Sequence, residues 1–419
     1  MAEILRRLAA SALIGGLSTV VFAASSDAAE GVVSTAALVV GAAGAGREFV
    51  AAAPVRVFDS RTGLGAASVS SIAPVKPVDV QIGGRDGVPA NADSIAVNVT
   101  VTNAKGDGFA LVYPAGMAPP KASSVNFRGG ESRSNLVLAK LGAGGRLSLV
   151  TNVEADVVLD VVGYFVNPAL SGAGARLHAL APSRLLDSRM KLGLAGPLVP
   201  DSTATVVVRG RNGVPGDAQA VLVNLTATDA SSGTYIAAYG GGDRPATSTI
   251  NVGPKDTRSN MAIVPLAGDG SMHLYNYAGI VDVVADVLGY FGPGSVDAGS
   301  AGQVVIGPPS RLFDSREAEV LLGDTGPGTL AFALAVGETG AQVTGAVLNV
   351  TVVHPTRDSY LTVWPADVDQ PLASNINTAA GSIVSNLVVV PLGPDGTVNF
   401  ANYRGQAGLV VDLVGVVIA

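Results

Sequence analysis

The chain has 419 residues, of which 48% are hydrophobic and only 14% are charged, with a formal net charge of -7 and no cysteine. This length fits two to four domains, and the 53 glycines and 24 prolines are typical of an all-β protein with many turns. The negative charge excludes a basic nucleic-acid surface. The absence of cysteine excludes disulfides, thiolate metal sites and a cysteine nucleophile.

The N-terminal segment has the pattern of an export signal. Arg6 and Arg7 precede an apolar run over residues 8–24, and small residues up to Ala29 offer a cleavage site. We predict a signal peptide at 1–29 and a flexible leader at 30–46, with a retained membrane anchor as the alternative. The expected location is extracellular or cell-surface associated, with no transmembrane span after signal removal.

An Asp-Ser-Arg triplet occurs three times and sets the domain organisation. Its aspartates, Asp59, Asp187 and Asp314, are 128 and 127 residues apart, a period long enough for a whole domain. The repeat predicts three modules, at 47–165, 176–291 and 303–419. Stretches rich in glycine, alanine, serine and proline separate them and are predicted to be linkers, at 166–175 and 292–302.

Within each module the pattern is that of short strands. Apolar and polar residues alternate over 97–102, 223–228 and 348–351, which predicts strands with one buried and one polar face. Glycine-rich turns separate later apolar runs and indicate hairpins. Each copy ends on a nearly continuous apolar run (157–165, 281–291 and 409–417), which is typical of a central strand covered on both faces. We predict an all-β fold of three tandem β-sandwich-like modules, with small β-barrels as the alternative.

These landmarks resemble a repeat module of secreted actinobacterial proteins. The resemblance depends on Ser-Arg-Leu-Leu-Asp-Ser-Arg, Val-Asn-Val-Thr and a closing Asp-Val-Val-Gly-Tyr-Phe, and it covers nearly all of the chain after residue 47. It implies an extracellular, non-catalytic accessory role and names no ligand. Module three departs from the pattern, since its last Gly-Tyr-Phe has become Gly415-Val416-Val417.

Catalytic and metal-binding patterns are missing from the sequence. The three histidines, His178, His273 and His354, occupy non-equivalent places in their modules, so they form neither a repeated metal site nor a repeated general base. No nucleophile elbow, zinc-protease or phosphate-binding motif occurs. We predict that the protein is not an enzyme and needs no cofactor or metal. A secreted hydrolase that uses a carboxylate pair is kept as the third candidate function, after the two given below.

An aspartate interrupts the last apolar run of every module and needs a partner, because an isolated buried carboxylate is very costly. The arginine of the triplet occurs once per copy and is the expected partner. We therefore predict a structural clamp between the first and last strands of each module, made of the pairs Arg61–Asp160, Arg189–Asp286 and Arg316–Asp412.

Two further sets of residues recur and are candidates for ligand binding. Asparagine is depleted in strands, so its recurrence predicts either bonds to backbone or a face that reads sugar hydroxyls, at Asn98, Asn224 and Asn349. Two aromatic positions four residues apart fall on one face of a strand and form either core or a stacking platform for a glycan. Their residues are Phe109 and Tyr113, Tyr235 and Tyr239, and Tyr360 and Trp364.

The resulting prediction is a secreted, non-catalytic repeat protein that binds cell-wall or environmental polysaccharide through several weak sites. The partner would be a polysaccharide or another component of the cell envelope, and nucleic acid is excluded. The alternative is an extracellular scaffold that interacts with proteins through exposed strand edges. The oligomeric state stays open.

Overall fold

The structure is a computed structural model that describes residues 19–24, 32–35, 46–66, 68–171, 174–293, 301–318, 320–323, 328–332, 342–393 and 396–419. Most of the predicted signal peptide and leader therefore lies outside the described residues. So do residue 67 of module one, residues 172–173 and 294–300 of the predicted linkers, and residues 319, 324–327, 333–341 and 394–395 of module three. The chain is nearly all β, with 57% strand and 3% helix. No described helix is long and apolar enough to cross a membrane.

The strands of the three modules follow the same order. Module one contains β3 (Glu48–Asp59), β4 (Val78–Gln81), β5 (Ser94–Thr102), β6 (Gly108–Pro114), β7 (Val125–Phe127), β8 (Arg133–Lys140), β9 (Arg146–Thr151) and β10 (Asp156–Val166). A short helix α1 (Pro168–Ser171) follows. Module two contains β11 (Arg176–Asp187), a 3-10 turn (Ser188–Met190), β12 (Ser202–Val207), β13 (Ala220–Thr228), β14 (Thr234–Tyr239), β15 (Ile250–Val252), β16 (Arg258–Pro265), β17 (Ser271–Asn276) and β18 (Asp282–Gly292).

Module three contains β19 (Ala301–Asp314), α2 (Ser315–Ala318), β20 (Gly328–Phe332), β21 (Val343–Val353), β22 (Ser359–Pro365), β23 (Ile376–Thr378), β24 (Ile383–Pro391), β25 (Thr397–Asn402) and β26 (Gly408–Ile418). Two strands precede module one, β1 (Thr19–Ala24) and β2 (Val32–Thr35). Strand β1 lies inside the predicted signal peptide and pairs antiparallel with β20.

Each module is a sandwich of two antiparallel sheets. In module one the inner sheet has the order β3-β10-β5-β8 and the outer sheet the order β4-β9-β6-β7, and modules two and three repeat this arrangement. Apolar side chains from the two sheets, such as Val99 and Leu159 from the inner sheet and Val80 and Val112 from the outer sheet, meet in the module core. The prediction of sandwich-like all-β modules is confirmed, and the small-barrel alternative is wrong because the sheets are not closed.

The inner sheets are covered on both faces because the modules pack against one another. One apolar cluster combines Phe49 and Phe165 of module one, Leu222 and Phe291 of module two and Val417 of module three. The ring of Phe49 lies 5.0 Å from that of Phe165 and 4.4 Å from that of Phe291, between centroids. The final apolar runs therefore form central strands buried on both sides, as their composition predicts.

The first strands of the modules also meet through the backbone. Phe49 exchanges hydrogen bonds with Ala175, Arg47 exchanges them with Val304, and Leu177 of β11 pairs with Gly302 of β19. Modules two and three thus share one eight-stranded sheet. The three modules therefore pack into one body.

A glycine in each last strand allows the first strand to approach closely. A Cβ on Gly289 would lie 2.6 Å from the carbonyl oxygen of His178, and one on Gly415 would lie 2.5 Å from that of Val305. A β-bulge in β10 accompanies the equivalent Gly163. The recurring glycine of the closing motif is therefore required by backbone contact.

Candidate functional site

An arginine in the first strand of each module holds the aspartate of the last strand. In module one Arg56 Nε donates to Asp160 Oδ1 at 2.8 Å and Nη2 donates to Oδ2 at 3.2 Å, while Nη1 donates to Asp59 Oδ2 at 3.3 Å. Asp160 is buried. The same pairs recur as Arg184 with Asp286 and Arg311 with Asp412.

The predicted clamp therefore has the correct aspartates and the wrong arginines. Arg61, Arg189 and Arg316 each bond the aspartate two residues earlier in their own triplet, with Nη2 to Oδ2 distances of 2.7, 2.8 and 2.6 Å. The reason is register, because Asp160 lies opposite Arg56 whereas Arg61 lies beyond the end of β3. Arg56, Arg184 and Arg311 also occur once per copy, so the signal was present in the sequence.

In each module the two arginines and two aspartates form one Arg–Asp cluster, and the two aspartates of a cluster have opposite pKa shifts. Burial raises the pKa of the Asp160, Asp286 and Asp412 carboxyls above the usual value, against the hydrogen bonds of their arginines. The side-chain hydrogen bonds from Arg61 and Arg189 lower the pKa of Asp59 and Asp187. Each cluster combines two guanidinium groups with two carboxyl groups.

The serine of the triplet has a structural role in joining the first strand to the last. Ser60 Oγ donates to Asp156 Oδ1 at 3.0 Å and accepts from the Val157 N–H at 3.1 Å. Ser188 makes the same two bonds, to Asp282 and from Val283. The hydroxyls are buried and already used, so the arrangement provides no activated nucleophile.

The asparagines predicted to read sugar hydroxyls lie between modules instead of on an open face. Asn98, Asn224 and Asn349 are 4%, 0% and 5% exposed. The Nδ2 group of each donates to a carbonyl of the next module in a cycle, namely those of Ser248, Ser374 and Ser123, at 2.6, 2.5 and 2.6 Å. Their polar strand face is buried against a neighbour, which corrects the expectation of a solvent-exposed polar face.

A second set of equivalent asparagines completes these interfaces. Asn135, Asn260 and Asn386 each donate from Nδ2 to the Oδ1 of one member of the first set, at 3.0, 2.9 and 2.9 Å. Their own Oδ1 atoms accept from the backbone N–H groups of Leu387, Leu136 and Met261 in a neighbouring module. The buried amides of these two sets are thereby satisfied across the interfaces.

The predicted aromatic pairs lie on the outward face of the outer sheets, on β6, β14 and β22. The second member of each pair is buried, with Tyr113, Tyr239 and Trp364 at 2%, 7% and 2% exposure, and the Trp364 indole N–H donates to the Val368 carbonyl. The first members, Phe109, Tyr235 and Tyr360, are half-buried. Core and surface roles are therefore divided between the two positions.

Two exposed tyrosines that the sequence analysis did not single out extend this surface. Tyr277 stacks on Tyr235 with ring centroids 4.9 Å apart, and Tyr403 stacks on Tyr360 at 4.5 Å. Tyr277 and Tyr403 are 55% and 50% exposed. The sequence feature that could have identified them is an Asn-Tyr dipeptide, which occurs at equivalent places in modules two and three. In module one Asn152 replaces the tyrosine, and its Oδ1 accepts from the Phe109 N–H.

The histidines occupy unrelated environments. His178 is buried on β11, where its ring stacks on Tyr290, whereas His273 lies on β17 and the His354 ring contacts the Gly381 carbonyl near the surface. Within the described ranges no three histidine, aspartate or glutamate side chains are grouped as metal ligands.

The fold defines a class, a single all-β chain of three two-sheet modules that share one apolar centre. No protein-family model matches it, and no curated protein matches it either. Among solved structures it is similar to one titled as the atomic structure of Sulfolobus turreted icosahedral virus, with 10% identity over 89% of this chain and 91% of that chain and a TM-score of 0.15. It is also similar to one titled as the triple jelly roll fold and turret assembly of an archaeal virus, with 8% identity, the same coverage and a TM-score of 0.16. These scores are too low to carry an argument.

Proposed function

We propose that the protein is a non-catalytic, multivalent binder of polysaccharide that acts outside the cell, at the cell wall or on polymers in the environment. The observation that carries this proposal is the pair of exposed tyrosine stacks, Tyr235–Tyr277 and Tyr360–Tyr403, at equivalent places in two modules. Each stack offers an apolar ring face together with a hydroxyl, and such amphipathic rings are favoured where one side of a contact is apolar and the other wet.

The rigid packing of the modules supports binding at more than one point. Because the modules share an apolar cluster and hydrogen-bonded interfaces, the two stacks have a fixed separation. A repeating polymer that reaches both would gain avidity without new contacts, by a factor of roughly 10² to 10⁴ over one site. A polysaccharide has the repeating structure that this mechanism requires.

Co-sedimentation of the full-length protein with insoluble peptidoglycan, chitin and cellulose tests the proposal. On any polymer that sediments with the parent protein, we expect Tyr277→Ala and Tyr403→Ala each to reduce the bound fraction of protein about tenfold or more. Either change leaves one stack and so removes avidity. The matched variants Tyr277→Phe and Tyr403→Phe keep the ring and should lose only the smaller part of the binding that the hydroxyl contributes. Failure to sediment with any polymer, or equal binding by the alanine variants, overturns the proposal.

A scaffold role is the second candidate, and a different observation favours it. Strand β1 adds to the edge of the outer sheet of module three by pairing with β20, which demonstrates that this edge can accept a strand. The equivalent edge strands are β12 and β4. Assembly that increases with protein concentration, in the absence of glycan binding, would favour strand addition between copies or partners.

A further inference from the structure

Clefts lie beside the Arg–Asp clusters at two module interfaces. Cleft 1–2, between modules one and two, has a volume of about 220 Å³ and is lined by Arg61, Thr100, Tyr235 and Asn251, among others. Cleft 3–1, between modules three and one, has a volume of about 320 Å³, and the equivalent residues line it: Arg316, Thr351, Phe109 and Asn126. The repeat itself therefore builds these clefts.

Each cleft contains a buried hydroxyl without a hydrogen-bond partner among the described residues. The hydroxyls are Thr100 Oγ1 and Thr351 Oγ1, on side chains that are 7% and 3% exposed. Buried polar groups are normally paired, and leaving one unpaired lowers stability. A threonine retained at this cost in two equivalent clefts points to a ligand that supplies the missing bond.

The electrostatics of the clefts favour a neutral ligand. In cleft 1–2 the guanidinium groups of Arg56 and Arg61 are matched by Asp160 and Asp59 at contacts of 2.7 to 3.3 Å. A charged ligand would gain little net attraction here, because each guanidinium group is already balanced by a carboxylate. The remaining lining of cleft 1–2 consists of hydroxyls, an amide, an aromatic ring and two small apolar side chains, which suit a sugar, and in cleft 3–1 Asp107 and Arg128 add one group of each charge.

The third interface provides an internal comparison. There Thr226, the counterpart of Thr100, has Asn377 Nδ2 at 3.5 Å, and Arg184 Nη2 donates to the Leu372 carbonyl at 3.2 Å. Both bonds cross from module two to module three. The hydroxyl that is unpartnered in the other two clefts is thus already engaged at this interface.

We propose that clefts 1–2 and 3–1 each bind one neutral sugar residue, either the end or a side branch of a glycan, and this rests on the proposed polysaccharide binding. Thr100 or Thr351 bonds a sugar hydroxyl, the amide of Asn251 or Asn126 bonds a second, and the ring of Tyr235 or Phe109 covers the apolar face of the pyranose. Volumes near the roughly 300 Å³ lower limit of drug-sized pockets suit one or two rings rather than an extended chain.

Saturation-transfer NMR on the full-length protein tests this proposal, with a panel of free neutral hexoses, pentoses and N-acetylhexosamines beside hexuronic acids. We expect at least one neutral sugar to bind, the hexuronic acids to bind at least tenfold more weakly, and the double variant Thr100→Val, Thr351→Val to lose binding about tenfold. The matched control Thr226→Val should bind like the parent. Because valine removes only an unpartnered hydroxyl, the double variant should melt at the same temperature as the parent or higher.

Each other outcome overturns the proposal in a recognisable way. Sedimentation with polymer through the tyrosine stacks, without binding of any free sugar, overturns the clefts and leaves the proposed function intact. If the protein neither sediments with a polymer nor binds a free sugar, both the clefts and the proposed function are overturned. Sugar binding that survives the double valine change, or stronger binding of hexuronic acids, excludes the clefts as neutral-sugar sites. A raised melting temperature with no sugar bound would identify the two hydroxyls as unpaired groups that bind no ligand.

Discussion

The side-chain amide of Asn260 in module two donates to the side-chain oxygen of Asn98 in module one at 2.9 Å. The same bond joins Asn386 to Asn224 and Asn135 to Asn349. Module two therefore donates to module one, module three donates to module two, and module one donates to module three. Each module uses the same two surfaces, which is the head-to-tail arrangement of a closed cyclic trimer. Here the trimer is built within one chain.

Replacing Asn260 with alanine should destabilise the whole protein. The change leaves the Leu136 N–H and Asn98 Oδ1 without this partner in a buried interface, and each unsatisfied buried group costs about 1 to 3 kcal/mol. We expect the free energy of unfolding, measured in urea, to fall by about 2 to 4 kcal/mol. Asn251→Ala is the control, since Asn251 Nδ2 bonds only Ser248 within its module. Equal midpoints for Asn260→Ala and the parent would contradict the interface role.

Arg184→Met should cost more stability than Arg189→Met. The first change leaves the buried Asp286 without its cation, whereas the second leaves Asp187 still paired with Arg184 at 2.9 Å. Breaking a fully buried pair costs about 3 to 5 kcal/mol, and since Arg184 is 27% exposed we expect about 2 to 3 kcal/mol. Arg189 is 48% exposed, so its loss should cost about 1 kcal/mol or less. Chemical denaturation of both variants measures the difference. A larger loss of stability for Arg189→Met than for Arg184→Met would favour the pair predicted from sequence, Arg189–Asp286.

The three modules should unfold in one cooperative transition. Phe49 contacts Phe165 of its own module and Phe291 of the next in the shared apolar cluster, and Phe→Ala in a core costs about 3 to 5 kcal/mol. Scanning calorimetry should therefore record a single peak that Phe49→Ala moves as a whole. Phe400→Ala, in the core of module three, should move the same peak. Separate peaks, with only one shifted by Phe400→Ala, would indicate independent modules.

Acidification should destabilise the protein through His178. Burial lowers the pKa of this imidazole below 6.5, so the folded chain keeps it neutral while the unfolded chain protonates it. The stabilisation is present above about pH 6.5 and is lost as pH falls through the folded pKa, with a slope of at most about 1.4 kcal/mol per pH unit.

The test compares the parent with His178→Phe in urea across pH 7 to 5. The parent should lose more stability than the variant as pH falls, because phenylalanine retains a ring against Tyr290 and does not titrate. The buried aspartates with raised pKa, such as Asp286, act in the opposite direction and are common to both proteins. A His178→Phe curve parallel to that of the parent would refute the assignment.

The strand content and the three modules were predictable because they depend on local patterns. The alternation at residues 97–102 places Val97, Val99 and Val101 in the module core, and β5 forms there. Burial of one strand face needs only the period of two that the sequence displays. The clamp aspartates were identified for a similar reason, since a charge inside an apolar run requires a partner wherever the strand lies.

The partners themselves were decided by the tertiary structure. Sequence shows that Asn98 and Thr100 face away from the core, but only the packing of the next module buries them and bonds Asn98 to Ser248. Likewise the register of β3 against β10, with its bulge, chooses Arg56 over Arg61 for Asp160. Alternation of apolar and polar residues indicates which face of a strand is apolar. What covers the polar face depends on contacts with residues more than 100 positions away in sequence, and no local pattern encodes those contacts.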